Sequence, residues 1–140
     1  MEVNIYTASS IKGMRAGDGT VGYILELVKT GEPYTKCEVV PVQHLTANQA
    51  QMQALIEALQ QFKRPCELNI YTDSTYITNA LTDNWITKWI QNEWKNNKNK
   101  EVANKDRWEM IEELLRPHKY RFYTNKQHSY RKWLEEQIRR

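Results

Sequence analysis

The stretch ELNIYTDS at residues 67–74 decides the fold. Leu68 and Ile70 alternate with polar neighbours, which is the period of a strand, and the run stops at Asp73-Ser74, after which 74–81 reads as a short helix. A strand that passes straight into a helix belongs to a β-α-β unit, so 67–72 is expected to lie parallel to an earlier strand. The partner is EVNIYT at residues 2–7, which alternates through Val3 and Ile5 and ends in the related sequence IYTAS at 5–9.

Between those strands the pattern changes twice. Residues 8–20 are polar and glycine-bearing and read as a loop, while 21–28 (VGYILELV) and 36–42 (KCEVVPV) read as strands joined by a turn in TGEP at 30–33. Pro41 has no amide proton to donate, which pushes its strand to a sheet edge and gives an antiparallel meander. Met52, Leu55, Ile56, Leu59 and Phe62 then recur at helical spacing within 46–63, with Thr46 and Asn48 as N-cap candidates and Pro65 beyond the end. Downstream, Trp85, Ile86, Trp89 and Ile90 form a second helical stripe. NEWKNNKNK at 92–100 reads as a polar loop, with 96–105 as the candidate flexible segment. A helix over 105–115 stops at Pro117, KYRFYT at 119–124 alternates as a strand, and 129–138 reads as a terminal helix. The order βββαβαααβα is that of an α/β fold: a five-stranded mixed sheet, three antiparallel strands and then parallel additions, flanked by helices.

A chain of 140 residues holds one domain with a real core, expected to span 1–140. Its 40% apolar content is too high for disorder, and no apolar run approaches the ~20 residues of a membrane span, so no membrane partner is expected. The first residues show no export or import signal, so a cytoplasmic location is expected. Cys37 and Cys66 lack metal-ligand spacing and are expected as reduced thiols. The net charge of +3 hides an asymmetry: residues 1–84 carry 6 Lys/Arg and 9 Asp/Glu, and residues 85–140 carry 14 and 8. Residues 114–134 hold Arg116, Lys119, Arg121, Lys126, Arg131 and Lys132 without one carboxylate, so their counter-charge must come from elsewhere in the fold or from a polyanion.

Ligands of open α/β sheets bind at the carboxyl ends of strands, where neighbouring chains diverge into helices. Asp73 stands at one such end, suited to binding a cation or capping a helix, and the same slot of the related strand is Ala8.

The element order and the segments IYTAS (5–9), TANQAQMQALIEAL (46–59), NIYTDSTYI (69–77), the tryptophan-rich 85–95 and NKDRW (104–108) together resemble ribonuclease H. The resemblance extends over essentially the whole chain and is weakest after residue 124. It implies the ribonuclease H-like sheet, an RNA/DNA hybrid bound across its edge, and two divalent metals held by four carboxylates that activate water and stabilise the leaving oxygen. Carried over one at a time, the first carboxylate falls on Ala8. The second falls on Gln51, with Thr46 and Asn48 in the family's Thr-x-Asn positions. The third is Asp73, and the fourth belongs near Lys132 or Trp133, where no acid stands before Glu135 and Glu136. Asp73 is therefore the remnant of the catalytic cluster. No metal site and no cofactor are expected, with Mg²⁺ or Mn²⁺ entering only if Glu135 or Glu136 rescues the site.

The binding apparatus is better kept. The resemblance makes 85–100 a basic protrusion that grips the DNA strand, with Lys88, Lys95, Lys98 and Lys100 neutralising phosphates and Trp94 stacking as an exposed indole. Trp85 and Trp89, at helical spacing, read as core. Thr46 and Asn48 match positions that touch phosphate and the RNA minor groove, a role compatible with capping, and Ser74 joins the nucleic-acid-binding set. Thr75 stands where the family has a glutamine for base edges. His128, near the family's loop histidine, reads as a lone surface histidine. The expected function is a catalytically inactive, nucleic-acid-binding ribonuclease H-like protein that recognises an RNA/DNA hybrid or duplex. The alternatives are an active hybrid nuclease with an atypical metal site, and a protein-interaction module with a partner chain, like the inactive connection domains of reverse transcriptases.

Overall fold

The computed structural model describes residues 1–13, 15–28, 34–96, 98–124 and 130–139. Its elements follow the expected order: β1 (Glu2–Ser9), β2 (Gly17–Leu27), β3 (Tyr34–Leu45), α1 (Ala47–Leu59), β4 (Glu67–Thr72), α2 (Thr75–Thr82), α3 (Trp85–Gln91), α4 (Lys105–Leu115), β5 (Lys119–Thr124) and α5 (Arg131–Ile138). The five strands form one sheet in the order β3-β2-β1-β4-β5. β1 pairs with β2, and β2 with β3, antiparallel; β4 pairs parallel with both β1 and β5. The strand that carries Pro41 is an edge, and ELNIYT lies beside EVNIYT in register from Glu2–Glu67 to Tyr6–Tyr71. The turn at 30–33 and His128 lie outside the described residues.

The larger differences in boundary fall at β2, β3 and α1. β2 starts at Gly17, inside the segment read as a loop, across a register shift between Gly17 and Gly19. Ser10 extends the pairing: its amide donates to Thr20 O, and its hydroxyl accepts from the Thr20 amide, both at 2.9 Å. A Cβ on Gly19 would lie 2.5 Å from Ser10 Oγ, so only glycine permits that approach. β3 runs from Tyr34 to Leu45, beyond 36–42 at both ends, because it follows the lengthened β2. Helix α1 ends at Leu59, where the Gln61 and Phe62 amides turn to carbonyls three residues back and the helix tightens out of its period.

The main core lies on one face of the sheet. Val3 and Ile5 of β1, Leu68 and Ile70 of β4, and Tyr23 and Leu25 of β2 meet Met52, Leu55, Ile56 and Leu59 of α1, with Trp108 and Ile111 of α4 behind. The opposite face carries a smaller cluster of Tyr6, Ile24 and Leu134, joined by Ala8, Cys37, Tyr71 and Tyr130, where α5 lies across β2 and β1. Small residues make that approach possible. Ala8 pairs with Gly22 across β1 and β2, and a Cβ on Gly22 would stand 3.2 Å from Leu134 and 3.1 Å from Ile138. On the same face, Tyr6, Tyr71 and Tyr123 stack as a row across β1, β4 and β5, with neighbouring ring centroids 4.9 Å apart.

Candidate functional site

The parallel register places the two related strand ends side by side. Ala8 and Asp73 each follow the paired tyrosines Tyr6 and Tyr71 by two residues, and both line a small crevice with Lys12, Arg131 and Glu135, walled by Thr7 and Leu134. Arg131, the first residue of α5, donates from Nη1 to Asp73 Oδ2 at 2.8 Å and from Nη2 to Asp73 Oδ1 at 2.9 Å. This is the two-toothed geometry in which a guanidinium matches a carboxylate best. Arg131 Nη1 also stands 3.9 Å from Glu135 Oε1. The hydrogen bonds to Asp73 outweigh burial and raise the Arg131 pKa above its usual value.

The residue before it makes a second attachment. Tyr130 Oη donates to Glu26 Oε2 at 2.6 Å, while Tyr6 Oη and Asn4 Nδ2 donate to Glu26 Oε1 at 3.1 and 3.0 Å. Bonding to that carboxylate, with burial, pushes the Tyr130 phenol up to about 12. Adjacent residues at the start of α5 thus reach acids on β2 and just past β4.

Gln51 is buried in α1, and its Oε1 accepts at 3.5 Å from Oγ1 of Thr72, the residue before Asp73. Among the described residues, the donors at these positions do not fit a pair of divalent cations, which take several carboxylate oxygens at close range. Position 8 offers a methyl group, position 51 an amide turned to Thr72, and Asp73 a carboxylate already doubly bonded to a guanidinium. At an effective dielectric of ~20, a dication ~4 Å from that guanidinium meets repulsion on the order of 8 kcal/mol. Lys12 adds a second cation to the same wall. Arg131 and Lys12 were absent from the sequence reading of the site. The available signal was the acid-free run 114–134, whose counter-charge had to come from outside it: Asp73 and Glu112 supply it for Arg131 and Arg116.

The remaining expected residues are two caps, an exposed amide, a half-buried indole and four exposed cations. Thr46 caps α1 in a reciprocal box: Thr46 Oγ1 accepts from the Gln49 amide at 3.2 Å, and the Thr46 amide donates to Gln49 Oε1 at 3.0 Å. Asn48 is not a cap; it is the exposed second residue of that helix. Ser74 is buried, and its hydroxyl accepts from the Ile77 amide, so it serves as the N-cap of α2 and faces away from solvent. Trp94 is half-buried against the main core rather than exposed, because Glu93 and Trp94 both take positive φ values, 54° and 61°, and turn the indole inward. Trp85 and Trp89 pack against the same core but also line a shallow groove with Lys88, Asn92, Lys95 and Asn96. Trp89 is the hub, with ring centroids 6.1 Å from Trp85, 6.2 Å from Trp94 and 5.7 Å from Trp108. Lys88, Lys95, Lys98 and Lys100 are all exposed. Backbone bonds join the described residues of the loop that bears three of them. Asn96 bonds through its amide to Lys100 O at 2.7 Å, Val102 to Trp94 O at 2.9 Å, and Lys95 bridges to Glu101.

The family model described as RNase H matches residues 1–132. The chain belongs to the ribonuclease H family. A ribonuclease H of Chlorobium phaeovibrioides is 37% identical over 134 residues, covering 91% of this chain and 84% of that protein. A ribonuclease H of Caldicellulosiruptor saccharolyticus is 42% identical over 87 residues, covering 62% of this chain and 60% of that protein. Among solved structures, LC9-RNase H1, a type 1 enzyme with the type 2 active-site motif, superposes with a TM-score of 0.77 at 20% identity, over 96% of this chain and 67% of that one. LC11-RNase H1, solved in complex with an RNA/DNA hybrid, gives 0.64 at 17% identity over 98% and 96%. At these identities the superpositions establish the ribonuclease H-like fold.

Proposed function

We propose that this ribonuclease H family member binds an RNA/DNA hybrid or a structured duplex through its basic protrusion and does not cleave it. One observation carries the reading: Asp73, the one acid at a family carboxylate position, is spent on Arg131 in a crevice whose facing position is Ala8. The exposed lysines beside the Trp85–Trp89 groove support the binding half, since phosphates are met by flexible cations and sugars or bases by half-open aromatic faces. A related fold has been seen with a hybrid bound.

Hydrolysis has one point in its favour: Glu135 lines the crevice with Asp73. Its carboxylate faces the same guanidinium, so both acids are drawn to a cation the chain itself supplies. Two measurements test the proposal. A labelled hybrid should bind with an affinity that falls steeply as salt rises, and should stay intact in millimolar Mg²⁺ or Mn²⁺. Cleavage that disappears in Asp73→Asn would sink the inactive reading; binding indifferent to salt would sink the phosphate-contact reading and favour a protein-interaction module.

A further inference from the structure

We infer that the Arg131 guanidinium has taken over the counter-ion role of the family's metals, so that the crevice is a metal-independent clasp holding α5 across the sheet. This deepens the proposal of a non-catalytic crevice and rests on it. Three observations lead there. Among the described residues, the crevice is lined by the cations Lys12 and Arg131 and the acids Asp73 and Glu135, so each acid there has a cation of the chain within the same lining.

Arg131 also stands where a cation is ordinarily disfavoured. The first turn of a helix presents unsatisfied amides and the positive end of the helix dipole, and α5 has no acid there to offset it. A guanidinium is stable in that position because Asp73, just past the end of β4, meets it with both oxygens. The third observation is the neighbouring bond from Tyr130 to Glu26. Consecutive residues fasten the start of α5 to β2 on one side and to the end of β4 on the other. Leu134 and Ile138 fasten its later turns over Gly22. A bound dication at Asp73 would displace the guanidinium and release one of these attachments, so metal binding and α5 docking compete for the same carboxylate.

The inference makes restoration of a metal site conditional. Returning carboxylates at two positions, as A8D/Q51E, should leave Mn²⁺ without effect on the melting temperature of the full chain. Adding Arg131→Gln to that pair should produce a Mn²⁺-dependent rise of several degrees, because ligand binding to the folded state stabilises it. A double-mutant cycle of Asp73→Asn and Arg131→Gln in the unaltered chain supplies the second readout and does not require the triple variant to fold. The pair should show a coupling of roughly tenfold in the folding equilibrium, little changed by Mn²⁺. Additive effects in the cycle overturn the clasp. So does an A8D/Q51E protein that takes up Mn²⁺ as well as the triple variant, or a folded triple variant that takes up none. Failure of the underlying proposal reads differently: hybrid cleavage by the unaltered chain in Mn²⁺ would defeat the non-catalytic reading while leaving the measured coupling in place.

Discussion

The crevice at Asp73 and the protrusion at 85–100 are both charged, and they dispose of their charge in opposite ways. In the crevice, opposite signs face one another within the fold: Arg131 spans Asp73 and stands near Glu135. On the protrusion, Lys88, Lys95, Lys98 and Lys100 project to solvent above half-buried indoles. The contrast shows where an external ligand still has something to gain. A charge balanced internally offers little to a new partner, whereas exposed lysines exchange loosely held counter-ions for phosphates at small cost.

The comparison can be broken hardest at Trp89, on which the protrusion rests. Trp89→Ala should cost about 2–3 kcal/mol in urea unfolding, since the half-buried indole touches three other tryptophans, and hybrid affinity should fall with it. Unchanged affinity would separate binding from the protrusion. Salt provides the next largest effect. If all four lysines meet phosphates, raising monovalent salt about fourfold should weaken hybrid binding on the order of a hundredfold, and each Lys→Ala change should reduce the log–log slope by about one. A smaller effect sharpens the other side: Arg131→Ala should destabilise the chain by about 1–2 kcal/mol, the range for a part-buried charge-assisted pair, with weak dependence on salt. The smallest effect is outside both regions and serves as their control. His118 Nδ1 accepts from the Cys66 amide at 3.0 Å, and burial lowers its pKa below 6.5. The neutral ring is the folded form, so the stability it contributes is complete above about pH 6.5 and is lost as the pH falls from there through the lowered value. His118→Gln should flatten that part of a stability profile without altering hybrid binding.

Local chemistry made most of the fold legible. The period of two in ELNIYT, its passage into a helix at Ser74, and the apolar stripe of α1 are consequences of neighbours along the chain, and all three stand in the structure. Pro41 marked an edge for the same reason: a missing amide proton is a property of one residue. What was hidden depends on residues far apart. Arg131 and Asp73 are separated by 58 positions, and nothing in spacing joins a cation at one helix start to a strand end that distant. Trp94 was misread because its direction is set by two positive φ values and not by helical periodicity. The start of β2 was masked by glycines that sequence patterns assign to loops, although here Gly19 admits Ser10. The sequence offered Asp73 as the cap of α2 and Ser74 as a nucleic-acid contact; the cap is Ser74, one residue on, and packing buries it.

The floor of small residues beneath α5 has an evolutionary meaning. Ala8 sits beside Gly22, and the helix has settled onto both through Leu134 and Ile138. A carboxylate placed at position 8 would enter the crevice beside Leu134 and would find the nearby guanidinium already matched. The residue at position 8 and the seating of α5 are therefore coupled traits, and a change in one alters what a change in the other costs.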